Sequence, residues 1–550
     1  MSDHAPRHRL ATHQVLNQPD MGAPFDAFAD DQALAEGLAR EAPDWVSRRL
    51  APLGSEVGSG EVQALGDAAN RHPPELHLFD RHGQRLDEVR YHPAYHELMH
   101  LAMDRGVHAV AWQEEGRGGH QAHVAALYLL TQAEPGFCCP ITMTHAAMPV
   151  LRRESSLDPE WTAGLLAWDY DPRALPATRK SALTFGMAMT EKQGGSDIRT
   201  NTTHAAIGED GWRLTGHKWF CSAPMSDAFL TLATTDEGLG CFLAPRFAPD
   251  GHRNPIEIQR LKNKCGNRAN ASAEIEYRHA WAAPIGEPGR GIATILEMVQ
   301  QTRLDAAMAP IGMMRQAWRE AWRHVSQRHA FGKALAEQPL MRTLLADMML
   351  EVEAGLALSL RTARAFDGTS HGNEHEIALA RLLPSLAKYW HNKRAPAFMA
   401  EAMECLGGSG YVEESPLARL YREAPVNSIW EGSGNVICLD VLRVLERHPA
   451  SIEALRQELA PARQQHPLLD KAVAELEREL AAPPDALPSR ARWLTQRLAQ
   501  CTQAALLLDH APEPVTNAFC RSRLGDEISP AYGVLPPGLD IDALLRRAGQ

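Results

Sequence analysis

Apolar residues in the first third of the chain recur at three- and four-residue spacing. "AFADDQALAEGLAREA" sets an aspartate pair ahead of such a pattern, which predicts a helix start. "VAALYLLTQA" and "PVLRRE" read as pieces of buried helices, and Pro and Gly punctuate the joins. From about residue 181 the texture changes. "LTFGMAMTEKQGGSD", "GWRLTGHKWFCSA", "AFLTLATT", "LGCFLAP" and "ASAEIEYRHA" are short apolar runs bounded by Gly, Asp, Asn and Pro, which predicts a small β domain. "EDGWRLTG" carries an Asp-Gly hairpin signal. The helical period returns at "GRGIATILEMVQQTRLDAAMAP" and persists to about 447 as several long amphipathic helices, a bundle pattern. Further helical stretches, "ASIEALRQEL", "LLDKAVAELEREL" and "ARWLTQRLAQCTQAALLL", precede a Pro/Gly-rich tail. The expected organisation is α+β: a helical domain over 1–180, a β domain over 181–285, a helical bundle over 286–447 and a helical domain over 448–550.

Composition narrows the function classes. A length of 550 residues implies two to four domains. The net charge of −12 argues against a globally basic nucleic-acid binder. No stretch approaches the run of about 18 apolar residues that a membrane helix needs. The opening segment has no apolar h-region, so no secretion signal is expected. Nine cysteines without a regular framework suit a reducing cytoplasm. A βαβ series, a Rossmann glycine fingerprint and a Walker A sequence are all missing, so a nucleotide cofactor would be held in some other way.

Four stretches carry candidate chemistry. In "MTEKQGGSD" (189–197), Thr190, Ser196 and the Gly194–Gly195 backbone could donate to a cofactor's carbonyls or phosphates, or simply form a polar turn. In "HKWFCSAP", strand alternation puts Phe220 and Ser222 on one face, which suits a planar heterocycle and equally suits ordinary packing. In "QRHAFGKAL", Arg328 stands before a Phe-Gly break between helices, placed for a phosphate or for the helix dipole. In "NSIWEGSGN" (427–435), Glu431 is open to three readings: a surface charge, a partner for the following helix N-terminus, or a base aimed at a substrate. "HELMH" (96–100) matches the H-E-x-x-H zinc-site pattern, but with 25 histidines in the chain a structural helix face is the better reading, and no metal is expected.

Taken together, in one order and at one spacing, these stretches resemble the acyl-CoA dehydrogenase superfamily. "MTEKQGGSD" looks like its first signature, "RHAFGKAL…LADM" like its second, and "GGSGYVEESPLARLYREAPVNSIWEGSGN" like its C-terminal flavin and active-site stretch. "RHPPELHLFD", "CPITMTHAA", "GHKWF" and "GNRANAS" are similar to the AidB-like branch, which carries an extra C-terminal helical domain. The resemblance implies an FAD-binding homotetramer with a helical domain, a β-barrel-like domain and a bundle. It places Met189, Thr190, Ser196, Phe220, Ser222, Trp430, Ser433, Gly434 and Asn435 against the cofactor, and Arg328 against the FAD of a neighbouring subunit. Pro339 stands where many relatives have a flavin-contacting Gln, with Gln338 adjacent. Glu431 matches the usual catalytic base. A branch acting on isovaleryl-CoA carries its base on an earlier helix, and Thr302 occupies that position here. The implied reaction is α,β-dehydrogenation of an acyl-CoA, with a short branched ester such as isovaleryl-CoA as one candidate. The alternative implied by the AidB-like branch is a flavoprotein that binds double-stranded DNA in the response to alkylation damage. Residues 446–550 hold 12 Lys/Arg against 14 Asp/Glu, so that segment lacks the net basicity such binding would use, although arginines cluster at 490, 492 and 497, at 521 and 523, and at 546–547.

Overall fold

The computed structural model describes residues 7–483, 485–526 and 529–548. The aspartate pair does start a helix: Asp31 caps Gln32–Glu41, its carboxylate accepting from the Leu34 N–H at 3.0 Å. Further helices of this region follow, among them Asp44–Val57, Pro93–Met103, Gly119–Leu130 and Cys138–Leu151, and every residue of Gly119–Leu130 is buried. One departure from the expected all-helical start is a hairpin, β1 (Glu75–Phe79) and β2 (Arg85–Arg90). Its alternation is too short to stand out in sequence, because its apolar partner is the later β domain. Leu76, Leu78 and Val89 pack on that domain's core, and Asp87 accepts from the Ile258 N–H at 2.8 Å.

The β domain comprises β3 (Phe185–Ala188), β4 (His204–Gly208), β5 (Gly211–Ser222), β6 (Ala228–Thr235), β7 (Gly238–Pro245), β8 (Ile256–Leu261) and β9 (Ser272–Ile285). They run in the order β3-β6-β4-β5-β9-β7, β8 adds to β9, and β7 pairs back onto β6, closing a barrel. The β4–β5 hairpin forms, but its turn lies one residue before the Asp-Gly pair: Glu209–Asp210 stand at its centre, and Gly211 opens the second strand opposite Gly208. The unbroken apolar runs of β6 and β7 are explained by burial on both faces. Phe229, Ala233, Phe242 and Ala244 belong to one core, and Leu230, Leu232, Cys241 and Leu243 belong to another, which is shared with helices Cys138–Leu151 and Gly291–Gln327.

The bundle is built on three long helices, Gly291–Gln327, Pro339–Thr369 and Glu374–Cys405, joined by Gly434–Arg447. The C-terminal helices share an apolar core with the bundle. One apolar core runs continuously from Ala27 to Ala548, and Leu487–His510 packs on the bundle. Buried ion pairs join the same parts: Arg523 with Asp347 at 2.6 Å, and Arg547 with Glu353 at 2.7 Å. No helix among the described residues is long and apolar enough to cross a membrane. All nine cysteines are free thiols.

Candidate active site

Glu431 sits on strained backbone. Its φ is +57° and that of Gly432 is +104°, so two successive residues are left-handed before helix Gly434–Arg447 begins. For a side-chain-bearing residue this conformation costs about 1–2 kcal/mol, and inward-facing cations hold it. Arg303 Nε donates to the Glu431 carbonyl at 3.1 Å, and Lys388 Nζ donates to the Gly432 carbonyl at 2.7 Å. Arg303 is itself fixed by Asp440, at 2.8 Å. The turn therefore faces inward, and the carboxylate is carried with it.

That geometry bears on two of the three readings of Glu431. Its Oε2 is sealed from solvent and has no hydrogen-bond partner, so it is neither a surface charge nor bound to the helix N–H groups. Burial pushes its carboxyl above the usual glutamate range, while the nearby Thr302 hydroxyl and the charges of Lys388 and Arg303 pull the other way. Burial also pushes the Lys388 ammonium below the usual lysine range. Thr302 is itself buried, so the alternative base position faces the same carboxylate from the long helix.

The other stretches converge on this turn. Met189 and Trp430 both pack on the apolar cluster that contains Cys139, Met143, Ala223 and Met298. The indole Nε1 of Trp430 is buried without a partner. Ser222 Oγ lies 3.3 Å from Ser272 Oγ, which accepts from Lys264 Nζ at 3.2 Å. Cys139 adjoins both Ser222 and Glu431, its thiol pushed up to about 12 by burial. Phe220 presents a ring that is 47% exposed on the side of the strand opposite Cys221, which is buried in the barrel. The Trp219 N–H donates to the Thr190 carbonyl at 2.8 Å, tying the first stretch to the second. Gly195 lies against Thr190, where an added Cβ would come within 2.7 Å of its hydroxyl oxygen, and Ser196 is exposed beside it. Ser433 caps helix Gly434–Arg447 without using its hydroxyl, Gly434 lies close to Lys393, and Asn435 accepts from Arg492 at 2.8 Å. Gly407 and Gly408 expose open backbone, with nothing within 4 Å of an added Cβ.

Arg328 is not brought into this group. It packs against the N-terminal segment, donating to the Asn17 carbonyl, at the base of a small hairpin whose tip, Phe331, is 96% exposed. Gln338 turns back to the Ala330 carbonyl at 3.3 Å.

Four working residues escaped the sequence reading: Arg303, Lys388, Glu191 and Lys218. Glu191 and Lys218 form a fully buried ion pair at 2.8 Å beneath the first stretch. Glu191 also accepts from the Thr202 N–H at 2.7 Å and the Thr203 N–H at 3.1 Å. The available signal was a lysine at an inward strand position, in register with Leu214, which requires a buried counter-charge.

Two histidine groups bear on metal binding. In the "HELMH" helix, His96 Nδ1 lies 3.0 Å from the Tyr170 hydroxyl, while His100 faces Asp104 at 3.2 Å. His123, His145 and Asp305 place ligand atoms within 4.8 Å of one another. The two rings, however, stack with centroids 3.7 Å apart, so their in-plane lone pairs run in parallel planes and cannot converge on one ion. His123 instead bridges Asp305 at 3.1 Å and the Val107 carbonyl at 2.7 Å.

Comparison with known proteins agrees with this architecture. The AidB N-terminal domain model matches residues 17–172, the acyl-CoA dehydrogenase middle domain 186–280, and the acyl-CoA dehydrogenase C-terminal domain 289–446. The chain is 46% identical to AidB of Escherichia coli (strain K12) over 542 residues, covering 98% of each chain. It is 31% identical to acyl-CoA dehydrogenase family member 11 of Caenorhabditis elegans, over 88% of this chain and 84% of that one. A solved structure of the C. elegans ACDH-11 protein in complex with C11-CoA superposes with a TM-score of 0.85 at 29% identity, covering 96% of this chain and 95% of that one. The Bd2924 apo-form superposes with a TM-score of 0.82 at 27% identity, covering 90% and 99%. A continuous helical core around a closed barrel, and matches spanning nearly the whole length, establish that the chain belongs to the acyl-CoA dehydrogenase family as an AidB-like member.

Proposed function

We propose that the protein is an FAD-dependent dehydrogenase that introduces a double bond between the α and β carbons of an acyl-CoA, with Glu431 as the base. The observation that carries this reading is the Glu431 carboxylate: its Oε2 is sealed from solvent without a partner, and its backbone is strained and held by Arg303 and Lys388.

The surroundings fit a flavin. The exposed ring of Phe220, the hydroxyls of Ser222 and Ser433 and the orphan Trp430 indole N–H offer stacking and hydrogen bonding. The exposed Ser196 and the open backbone at Gly407 and Gly408 offer room and donors for a phosphate-bearing tail. Met189, Thr190, Gly434 and Asn435 complete the set within one chain, and Arg328 would reach the cofactor of a neighbouring subunit. When bound, FAD supplies the acceptor for the hydride that leaves the β carbon.

The protein's own part is proton removal and positioning. Glu431 takes the proton from the α carbon, a step that requires the ionised carboxylate. Lys388 and Arg303 favour that ionised form against the burial that opposes it. The backbone N–H of the base residue polarises the thioester carbonyl and so acidifies the α proton. Met143, Met298 and Trp430 exclude water around the carbon chain.

The acyl-CoA class is also supported by the related C. elegans protein, whose structure is of a complex with C11-CoA. Anaerobic mixing of the FAD-loaded protein with acyl-CoA esters, from isovaleryl-CoA to C11-CoA, should bleach the flavin with at least one of them. No bleaching across the panel would end this reading.

A homotetramer is part of the proposal. Phe331, Leu340, Tyr411 and Ile429 are large apolar side chains that are 65–96% exposed in the single chain, which favours association. Domain boundaries near 180, 285 and 447 and a location in the cytoplasm belong to the same reading. The duplex-DNA alternative has less support. Arg490 pairs with Glu479, Arg492 with Asn435, Arg521 with the Pro537 carbonyl, and Arg523 and Arg547 with buried acids, so these arginines are already engaged.

A further inference from the structure

Between the "HELMH" helix and the end of the barrel lies a second cavity, of about 250 Å³. Pro140 and Ala223, the neighbours of Cys139 and Ser222, form part of its lining, so it is set behind the wall of the proposed active site. One side is aromatic. Tyr91 and Tyr95 stack with centroids 4.2 Å apart, and His96 lies edge-on to both. Burial pushes the Tyr95 and Tyr170 phenols up, so they remain neutral donors.

The other side carries an unbalanced charge. Arg246 is 8% exposed and lines the cavity. Its Nη1 donates to the Met225 carbonyl at 2.9 Å, whereas its Nη2 is buried with no partner. The Ser226 hydroxyl, from a residue 2% exposed, also lines the cavity and also lacks a partner. Each acid facing this space already has a cation of its own. Asp227 is bound by Lys180 at 2.6 Å, Asp171 by Arg173 at 2.6 Å and Glu88 by Arg253 at 3.4 Å. Arg246 is thus left over, a buried guanidinium with no carboxylate in direct ion-pair contact among the described residues, Asp227 and Glu88 acting on it only from a longer distance. A native fold rarely leaves such a donor unused, because an unpaired buried charge is strongly disfavoured.

We propose that this cavity is a ligand pocket for a small carboxylate with a flat or short apolar body, distinct from the thioester site. The carboxylate would pair with Arg246 Nη2 and accept from Ser226, and the body would lie against the Tyr91–Tyr95 stack. The volume equals that of about eight liquid waters, which suits a molecule of roughly ten non-hydrogen atoms. A guanidinium favours a carboxylate over a neutral amide of the same shape through charge-assisted hydrogen bonds.

The test is calorimetric titration of the FAD-loaded, full-length protein with benzoate and with benzamide. Benzoate should bind at one site per chain, and benzamide roughly tenfold more weakly or not at all, the loss expected for one charge-assisted contact. Arg246→Met should abolish the benzoate heat, and Glu431→Gln should leave it unchanged. Ser226→Ala should weaken it several-fold and keeps the test decisive if Arg246→Met misfolds, because deleting an unpartnered buried hydroxyl does not destabilise the fold. Absence of benzoate binding to the wild-type protein at millimolar concentration would overturn the proposal. So would binding that is insensitive to Arg246 and Ser226 but lost in Glu431→Gln, which would place the molecule at the thioester site instead.

Discussion

Glu191→Gln isolates the part played by the buried pair beneath the first cofactor stretch. Glu191 is 0% exposed and Lys218 is 1% exposed, 2.8 Å apart. The carboxylate also accepts from two backbone N–H groups, of Thr202 and Thr203, and from Gln193 Nε2 at 2.8 Å, while Lys218 has one other acceptor, the Leu232 carbonyl at 2.8 Å. Burial acts to raise the Glu191 carboxyl, but Lys218 and these N–H groups outweigh it and hold it at about 2. An amide in its place supplies one acceptor oxygen where two were in use, and leaves the ammonium buried without a counter-charge. Breaking a buried pair from one side costs about 3–5 kcal/mol. For a cooperative unit of barrel size, about 100 residues, this lowers the melting temperature by about 12–40 °C. A carboxyl held below its unfolded value stabilises the fold above the ordinary carboxylate range and loses that contribution as pH falls towards 2, so the difference from wild type should be full at neutral pH and shrink in acid. Because the same carboxylate anchors the loop bearing Thr190 and Ser196, the variant should also release FAD at a lower temperature. Thermal melts followed by circular dichroism and by flavin fluorescence measure both effects. The double variant Glu191→Gln with Lys218→Met should recover most of the loss, since the unpaired charge is gone. A single variant whose melt and flavin release coincide with wild type would refute the reasoning, as would a double variant less stable than the single one.

Further outcomes follow from the site. Glu431→Gln should retain FAD and slow flavin reduction by acyl-CoA by roughly 10²–10⁴-fold in anaerobic stopped flow, the range removed with a general base. The Glu431 carboxyl is raised in the fold, so its contribution to stability falls as pH rises from the unfolded value through the folded one. Glu431→Gln should therefore melt above wild type at neutral pH and converge with it in acid, and the acidic limb of the wild-type rate profile should lie above the ordinary glutamate range. Phe331→Asp should shift the assembly towards smaller species by light scattering while leaving each chain folded, because that side chain is 96% exposed in the single chain. If duplex DNA binds at all, its affinity should fall steeply between low and physiological salt, and binding that is indifferent to salt would exclude an electrostatic footprint.

Much of this protein is legible in its amino-acid sequence because the signals are local. The helix capped by Asp31, the long amphipathic helices of the bundle and, to within one residue of its turn, the hairpin at Glu209–Asp210 follow from periodicity and turn chemistry over a few residues. The order and spacing of four short stretches sufficed to indicate the family. The β1–β2 hairpin was not legible, since its apolar face is completed by β8 and β9, about 170 residues away in the chain. Arg303 and Lys388 were equally hidden. Each reads as one more charge on an amphipathic helix until the fold turns it inward onto the carbonyls of Glu431 and Gly432.

Glu431 shows where the division lies. Its identity and its place in "NSIWEGSGN" marked it as a candidate, yet in sequence it could equally have served a helix N-terminus. Only the tertiary structure excludes that service for Oε2, because the left-handed turn, Arg303 on one long helix and Lys388 on another must meet before this oxygen is carried away from the helix N–H groups and sealed from solvent. The same is true of Arg246, whose lack of an ion-pair partner is visible only when each acid around it is seen to be held by another cation. Periodicity and turn chemistry depend on neighbours along the chain, whereas desolvation and charge balance depend on neighbours in space, and those exist only once the chain has folded.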